Sequence, residues 1–222
     1  MFNSYDAMRK PNINSIILLI GLTVTSVVTG QSFVNLDFEQ ANVSGYSPGD
    51  SIPASDAIPG WTAYFGGVAL TDIDYDVPYH GVVNINDQSA FQGTYDIAIE
   101  GAPSEPASIG QTGTIPATAQ FLIFSGLAVG RNGDYGVSFN GQMLSFSVLA
   151  GEGTYFIYEA DISAFSGQTG QLLFTSTLGA ILGPTTIDNI QFSSTPIPEP
   201  SPSWLLLLGG GVFFYSRRIF QH

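Results

Sequence analysis

The stretch VSFNGQMLSFSVLA, residues 137–150, decides the fold class. Val137 and Phe139 stand two apart, the spacing at which strand side chains share a face. Leu144, Phe146, Val148 and Ala150 keep that period as a longer apolar row. Between the two rows lies Asn140-Gly141, the pair that best tolerates the positive φ angles of a tight hairpin turn. The pattern predicts strand, turn, strand.

The same signature recurs along the chain. Val34, Leu36 and Phe38 would share a face of an early strand, and Tyr95, Ile97 and Ile99 a face of another, with Asp96 and Glu100 opposite. Phe156, Tyr158 and Ala160, then Leu172 and Phe174, then Ile190 and Phe192 repeat it. Turn formers separate the runs at Pro48-Gly49-Asp50, Pro59-Gly60, Asn132-Gly133-Asp134 and Gly151-Glu152-Gly153. Only 162–167 suggests a helical turn, with Asp161 as its cap. Roughly nine to eleven short strands with turns at such spacing predict an all-β sandwich over residues 31–195.

Charge narrows the function. The chain holds eighteen acids against five basic residues, and charged residues make up only 10% of it. Four of the basic residues, Arg9, Lys10, Arg217 and Arg218, sit in the two hydrophobic ends. Residues 31–197 keep Arg131 against sixteen acids, a formal charge of −15. Such a surface repels phosphate backbones, so nucleic acid is excluded as a partner. Divalent cations and neutral polysaccharides are compatible with it. There is no cysteine, which excludes disulfides, thiolate nucleophiles and cysteine-held metals.

Both ends read as addresses. Arg9-Lys10 followed by the largely apolar 16–28 and by Val28-Thr29-Gly30 predicts a signal peptide over 1–30, cleaved before Gln31. A retained anchor is the alternative, although the apolar run is shorter than the ~20 residues a spanning helix needs. At the other end, 196–222, Pro198-Glu199-Pro200 precedes an apolar run, Trp204–Tyr215, closed by Arg217-Arg218. The basic pair would hold its side of the membrane and make the run a stop-transfer helix.

This three-part end resembles the PEP-CTERM sorting signal of Gram-negative bacteria. The resemblance implies processing by the membrane protease exosortase at Pro198, Glu199 and Pro200. It also implies a brief stay in the inner membrane, then delivery to the cell envelope or an extracellular polysaccharide matrix. The twelve-residue run would make only ~18 Å of helix, short of a ~30 Å bilayer core. Flanking residues and snorkelling arginines would have to extend it. A plain C-terminal anchor is the alternative.

A second resemblance lies at the edges of the central domain. Asn35-Leu36-Asp37-Phe38-Glu39, then Pro59-Gly60-Trp61, and Ile187-Asp188-Asn189-Ile190 near the close are similar to galactose-binding-like jelly-roll carbohydrate-binding modules. In that family first and last strands lie close, and a structural calcium often sits between the opening and closing acids. Carried over, the ligands are Glu39 and Asp188, completed by backbone carbonyls. The plainer reading is that both acids hydrogen-bond backbone at strand ends.

Other chemistry is sparse. Asp72, Asp74 and Asp76 alternate as one face of a strand would, and a solvated acidic edge accounts for them; Val77 and Val83 rule out an EF-hand. His80 is the one imidazole of the domain, and no Gly-x-Ser-x-Gly elbow accompanies it. Sixteen acids allow many carboxylate pairs, and none is singled out as a hydrolytic pair. Trp61, Tyr64 and Tyr79 form a candidate aromatic platform for sugar rings, the alternative being burial in the core. The expectation is a non-catalytic binding or structural module, with a glycan-specific module second and a glycan hydrolase third. For the sorting signal, replacing Pro198-Glu199-Pro200 by alanines should trap unprocessed chain in the inner membrane. Fractionation showing normal release of that variant would sink the processing claim.

Overall fold

The computed structural model describes residues 31–77, 82–87, 90–102, 104–127, 135–153, 155–176 and 185–196. The N-terminal segment 1–30, the C-terminal segment from residue 197, Tyr79 and His80 lie outside them. The described residues form two β-sheets with one short helix, Ala54–Ala57, and one 3₁₀ turn, Ser163–Phe165. That turn is the one expected at 162–167, and Asp161 Oδ1 accepts the Ser163 N–H at 2.9 Å.

The larger sheet has eight strands. In spatial order they are β1 (Ser51–Pro53), β4 (Asp72–Tyr75), β5 (Val83–Asn86), β6 (Asp96–Ile99), β14 (Thr185–Ser193), β8 (Phe121–Gly126), β12 (Tyr155–Asp161) and β11 (Phe146–Glu152). The smaller sheet runs β10 (Gln142–Met143), β9 (Tyr135–Phe139), β13 (Thr169–Ser176), β7 (Ala107–Thr114), β2 (Thr62–Phe65) and β3 (Val68–Ala69). Every pairing is antiparallel except β4 with β5. The all-β sandwich read from the alternation is therefore the observed fold. Its strand number is higher than expected because β1, β3 and β10, of two or three residues, are too short to show a period.

Two local expectations need correction. The Asn140-Gly141 hairpin forms, with φ of 49° and 76°, but its second strand stops at Met143. The chain then leaves for the other sheet, where Phe146 begins β11. A bulge between Val148 and Ala150 breaks the predicted row, and Val148 ends up 51% exposed on an edge strand. The second correction concerns Val34, Leu36 and Phe38. They are not one strand face, because Asn35 (φ 50°) and Phe38 (φ 59°) are left-handed and bend the segment into turns. Only Phe38 of the three is fully buried.

This opening segment bridges the sheets. Gln111 of β7 grips Val34 on both sides, accepting its N–H at 2.6 Å and donating to its carbonyl at 3.0 Å. The Leu36 carbonyl accepts from Ile190 of β14 at 2.9 Å. Between the sheets runs a file of aromatic rings. Tyr158 stacks on Phe124 at 5.2 Å, Phe124 meets Phe174 edge-on at 5.4 Å, Phe174 meets Trp61 at 6.3 Å, and Trp61 meets Phe38 at 5.6 Å. Phe124 and Phe174 are wholly buried and come from opposite sheets. Phe174→Ala should therefore cost about 3–5 kcal/mol of stability, read as a lowered midpoint in urea unfolding. A loss under about 1 kcal/mol would mean that the sheets are held together elsewhere.

Candidate functional site

The sequence singled out Glu39 and Asp188, and the fold brings both to one loop. Asn35 organises the turn that presents Glu39. Its side chain accepts the Gln40 N–H at 3.0 Å and donates to the Pro59 carbonyl at 3.1 Å. Its own carbonyl accepts the Trp61 indole N–H at 2.9 Å. Held there, Glu39 Oε1 accepts the N–H groups of Thr94 and Tyr95 at 2.7 and 2.8 Å. Gly93, at φ 68°, lets the loop pass so close that a Cβ there would collide with the Glu39 carboxylate.

Asp188 lies in β14 where its pairing with β8 slips. Its two oxygens accept from Gln92 N–H at 3.0 Å and Asn189 N–H at 2.6 Å. On β6 a third carboxylate, Asp96, sits in register with Asn86 of β5. Asn86 donates to one Asp96 oxygen at 2.7 Å, and the other has no hydrogen-bond partner. Asp188 is 1% exposed and Asp96 0%. Burial, the largest cause, pushes Asp188 up to about 7 against the pull of its two N–H donors; Asp96 and Glu39 nearby add to the rise. Burial also drives Asp96 to about 6, with Asn86 opposing and the Asp76 charge adding. None of the chain's five lysines and arginines lies among the described residues.

Glu39 and Asp188 do hydrogen-bond backbone, anchoring the loop between β5 and β6. As two carboxylates, Glu39 and Asp188 carry the charge and oxygen donors a calcium ion would need. Glu39 Oε2 accepts no hydrogen bond from a described residue. No three carboxylate or histidine groups converge as a ready ligand set among the described residues, so backbone carbonyls would have to complete the six to eight oxygens calcium takes. Asp96, the carboxylate sequence reasoning missed, was legible only as a polar residue opposite an apolar row. Asp96 and Asp188 are the acids with raised affinities for protons, and both are buried.

Of the candidate aromatic platform, Trp61 takes the ordinary place of such rings, in the core. Trp61 is 5% exposed and belongs to the core file of rings, because its flat indole fills the gap between Phe38 and Phe174. Tyr64 is half-buried, and Tyr79 lies outside the described residues. In the acidic run, Ile73 and Tyr75 face the core while Asp72 and Asp74 face outward, but Asp76 lies past the strand end at φ 48° and does not continue that face.

Tyr64 belongs instead to a surface the sequence did not reveal. On the smaller sheet, Ile109, Leu172, Phe174, Ala63 and Val137 fill the core, so their neighbours point outward. The register aligns Tyr64, Ser108 and Thr175 in one row and Thr62, Gly110, Leu173 and Ser138 in the next. Gln171 and Thr112 pair beyond them. Ser108 and Thr175 share a hydroxyl hydrogen bond at 3.1 Å, and Gln171 donates to the Tyr64 hydroxyl at 3.4 Å. No strand of this sheet contains a charged residue, whereas the eight-stranded sheet carries Asp72, Asp74, Asp96, Glu152, Glu159, Asp161 and Asp188.

No protein-family model matches the chain, and no curated protein does. Among solved structures it is similar to the enzymatically active domain of bacteriophage CBA120 tailspike protein 4. That likeness has 12% identity and a TM-score of 0.40, over 73% of this chain and 21% of that one. It is also similar to the family 11 carbohydrate-binding module from Clostridium thermocellum, solved with a β-1,3-1,4-mixed-linked tetrasaccharide. There the identity is 13% and the TM-score 0.35, over 65% of this chain and 95% of that one. The chain thus spans about a fifth of the tailspike structure. Neither likeness is close enough to carry a residue's role across.

The carboxylates make a pH test. A raised folded-state pKa stabilises below the unfolded value and loses that stabilisation as pH rises through the folded one. In EDTA, unfolding midpoints should fall between pH 4.5 and 8, as Asp96 and Asp188 ionise through about 6 and about 7. Asp96→Asn should flatten the fall and gain on the order of 2 kcal/mol at pH 8. A profile unchanged by Asp96→Asn would show that Asp96 is not a source of the pH dependence.

Proposed function

We propose that this chain is an exported, non-catalytic module that binds neutral polysaccharide outside the cell through the outward face of its six-stranded sheet. The observation that carries this reading is the charge sorting between the sheets. In a chain of net charge −13, one broad face is built wholly of hydroxyl, amide, glycine and apolar groups around the half-buried Tyr64. Hydroxyls and amides exchange hydrogen bonds with a neutral polyol without burying a charge, and a tyrosine ring offers an apolar face with a polar tip. The rest of the surface repels acidic polymers.

The sorting reading completes the proposal. The signal peptide over 1–30 exports the chain, and the PEP-CTERM-like end at 196–222 hands it to exosortase and on to the envelope or matrix. A calcium ion at Glu39 and Asp188 would be structural, pinning the β5–β6 loop. Calcium should then raise the melting temperature at pH 8, and Glu39→Gln should remove most of that rise; an identical rise in the variant would discard Glu39 as a ligand.

The binding claim is tested by retention of the full-length chain on insoluble neutral glucans and mannans, with a polyuronate for contrast. Neutral polymers should retain it and the polyuronate should not, and Tyr64→Ala should weaken retention at least about tenfold, ~1.4 kcal/mol, while the fold melts as before. Retention on neither neutral polymer would overturn the proposal, as would full retention of Tyr64→Ala.

A further inference from the structure

The turn Asn35–Gln40 and the slipped part of β14 enclose a groove of about 470 Å³ at the seam between the sheets. Its apolar side is Phe33, half-buried and packed on Phe192 with centroids 5.1 Å apart, together with Leu36. Its polar side is Asp37, Gln40, Asn189 and Gln191. Asp37, Gln40 and Gln191 are exposed.

The polar side is preset. Asn189 holds φ 48°, donates to the Gln92 side chain at 2.8 Å and accepts from the Gln191 side chain at 2.7 Å. This fixes one amide wall through a hydrogen-bonded chain and leaves the Gln191 carbonyl oxygen for a ligand. The Gln40 side chain lines the groove and makes no hydrogen bond with a described residue. Asp37 uses only one oxygen, on the Glu39 N–H at 3.4 Å. Asn35, Phe38 and Asn189 are three of the five non-glycine residues described with positive φ, and all three lie in the two segments that make the groove. Left-handed residues persist where surrounding contacts over-determine them, and they collect at ligand clamps.

We propose that this groove binds one neutral, hexose-sized sugar unit, separately from the six-stranded face. The chemistry selects that class. An aromatic and aliphatic floor accepts the C–H face of a pyranose, while amide donors and acceptors and one carboxylate acceptor meet its hydroxyls. No cationic group lines the groove, and Asp37 turns away anionic sugars. Preformed walls spare the ligand part of the ordering cost, and the open groove suits a small ligand held against one wall.

The inference rests on the reading that the chain binds glycans, and the experiment separates the two. Amide and methyl NMR spectra of the labelled full-length chain are recorded with methyl glycosides of glucose, galactose and mannose, beside retention on the insoluble neutral polymers. Shifts for at least one glycoside should centre on Phe33, Gln40 and Gln191, and Asp37→Asn or Gln191→Ala should weaken that binding about tenfold. Shifts centred on Tyr64 would overturn the groove as the sugar site while supporting the sheet face. An absence of shifts with intact polymer retention would overturn the groove alone. Failure of both assays would overturn the groove and the glycan reading together, and two single variants that bind as tightly as the unchanged chain would also overturn the groove.

Discussion

The Trp61 indole is the contact on which the rest of the structure leans. Its ring lies between Phe38 and Phe174, and its N–H closes on the Asn35 carbonyl. It thereby joins the core to the left-handed turn that begins the domain. That turn projects Glu39, Glu39 anchors the backbone of Thr94 and Tyr95, and the anchored loop covers Asp188. Stability and site geometry are thus one linked set of contacts. An aromatic residue with a buried donor suits this role, because its ring fills volume while its N–H demands a fixed partner.

The covered carboxylates are costly to keep. A buried acid with one oxygen unpaired, as in Asp96, loses hydration without full replacement. Asp188 offsets part of that cost through two backbone donors, and Asp96 through Asn86. Neighbouring negative charges add to the cost. The domain tolerates this on the outward side of its larger sheet, while the interior between the sheets is mainly apolar and aromatic, with Gln111, Ser176 and Thr185 as buried polar members.

The two sheets consequently present different chemistries to solvent. The larger is acidic and partly roofed by its own loop. The smaller is uncharged across all its strands, with tightly spaced Ser, Thr and Gly around one tyrosine. Glycine leaves no room for a side chain there: a Cβ on Gly110 would run into Leu173. An uncharged face and an acidic one thus lie on opposite sides of a single sandwich.

The fold class lay open in the residues themselves, because period-two alternation and an Asn-Gly turn are local signals that survive without tertiary context. Val137, Phe139, Leu172, Phe174, Ile97 and Ile99 all face the core as their spacing implied. Glu39 and Asp188 were legible as a pair, since acids flanking strand motifs at the two edges stand out in a chain with few charges. Local period fails where geometry is set from a distance. Val148 lost its burial to a bulge and an edge position, and Val34 and Leu36 lost theirs to a turn imposed by Trp61 and Gln111. Whether Trp61 lay in the core or on a platform was undecidable from its identity, because the same ring serves both uses. By itself the sequence determined an acidic, cysteine-free β-sandwich with paired edge acids. Tertiary structure alone decided which strands share a sheet, and so kept every charged strand out of the six-stranded one and left Asp96 buried beside Asp188: hydrogen-bond register joins residues that lie many tens of positions apart.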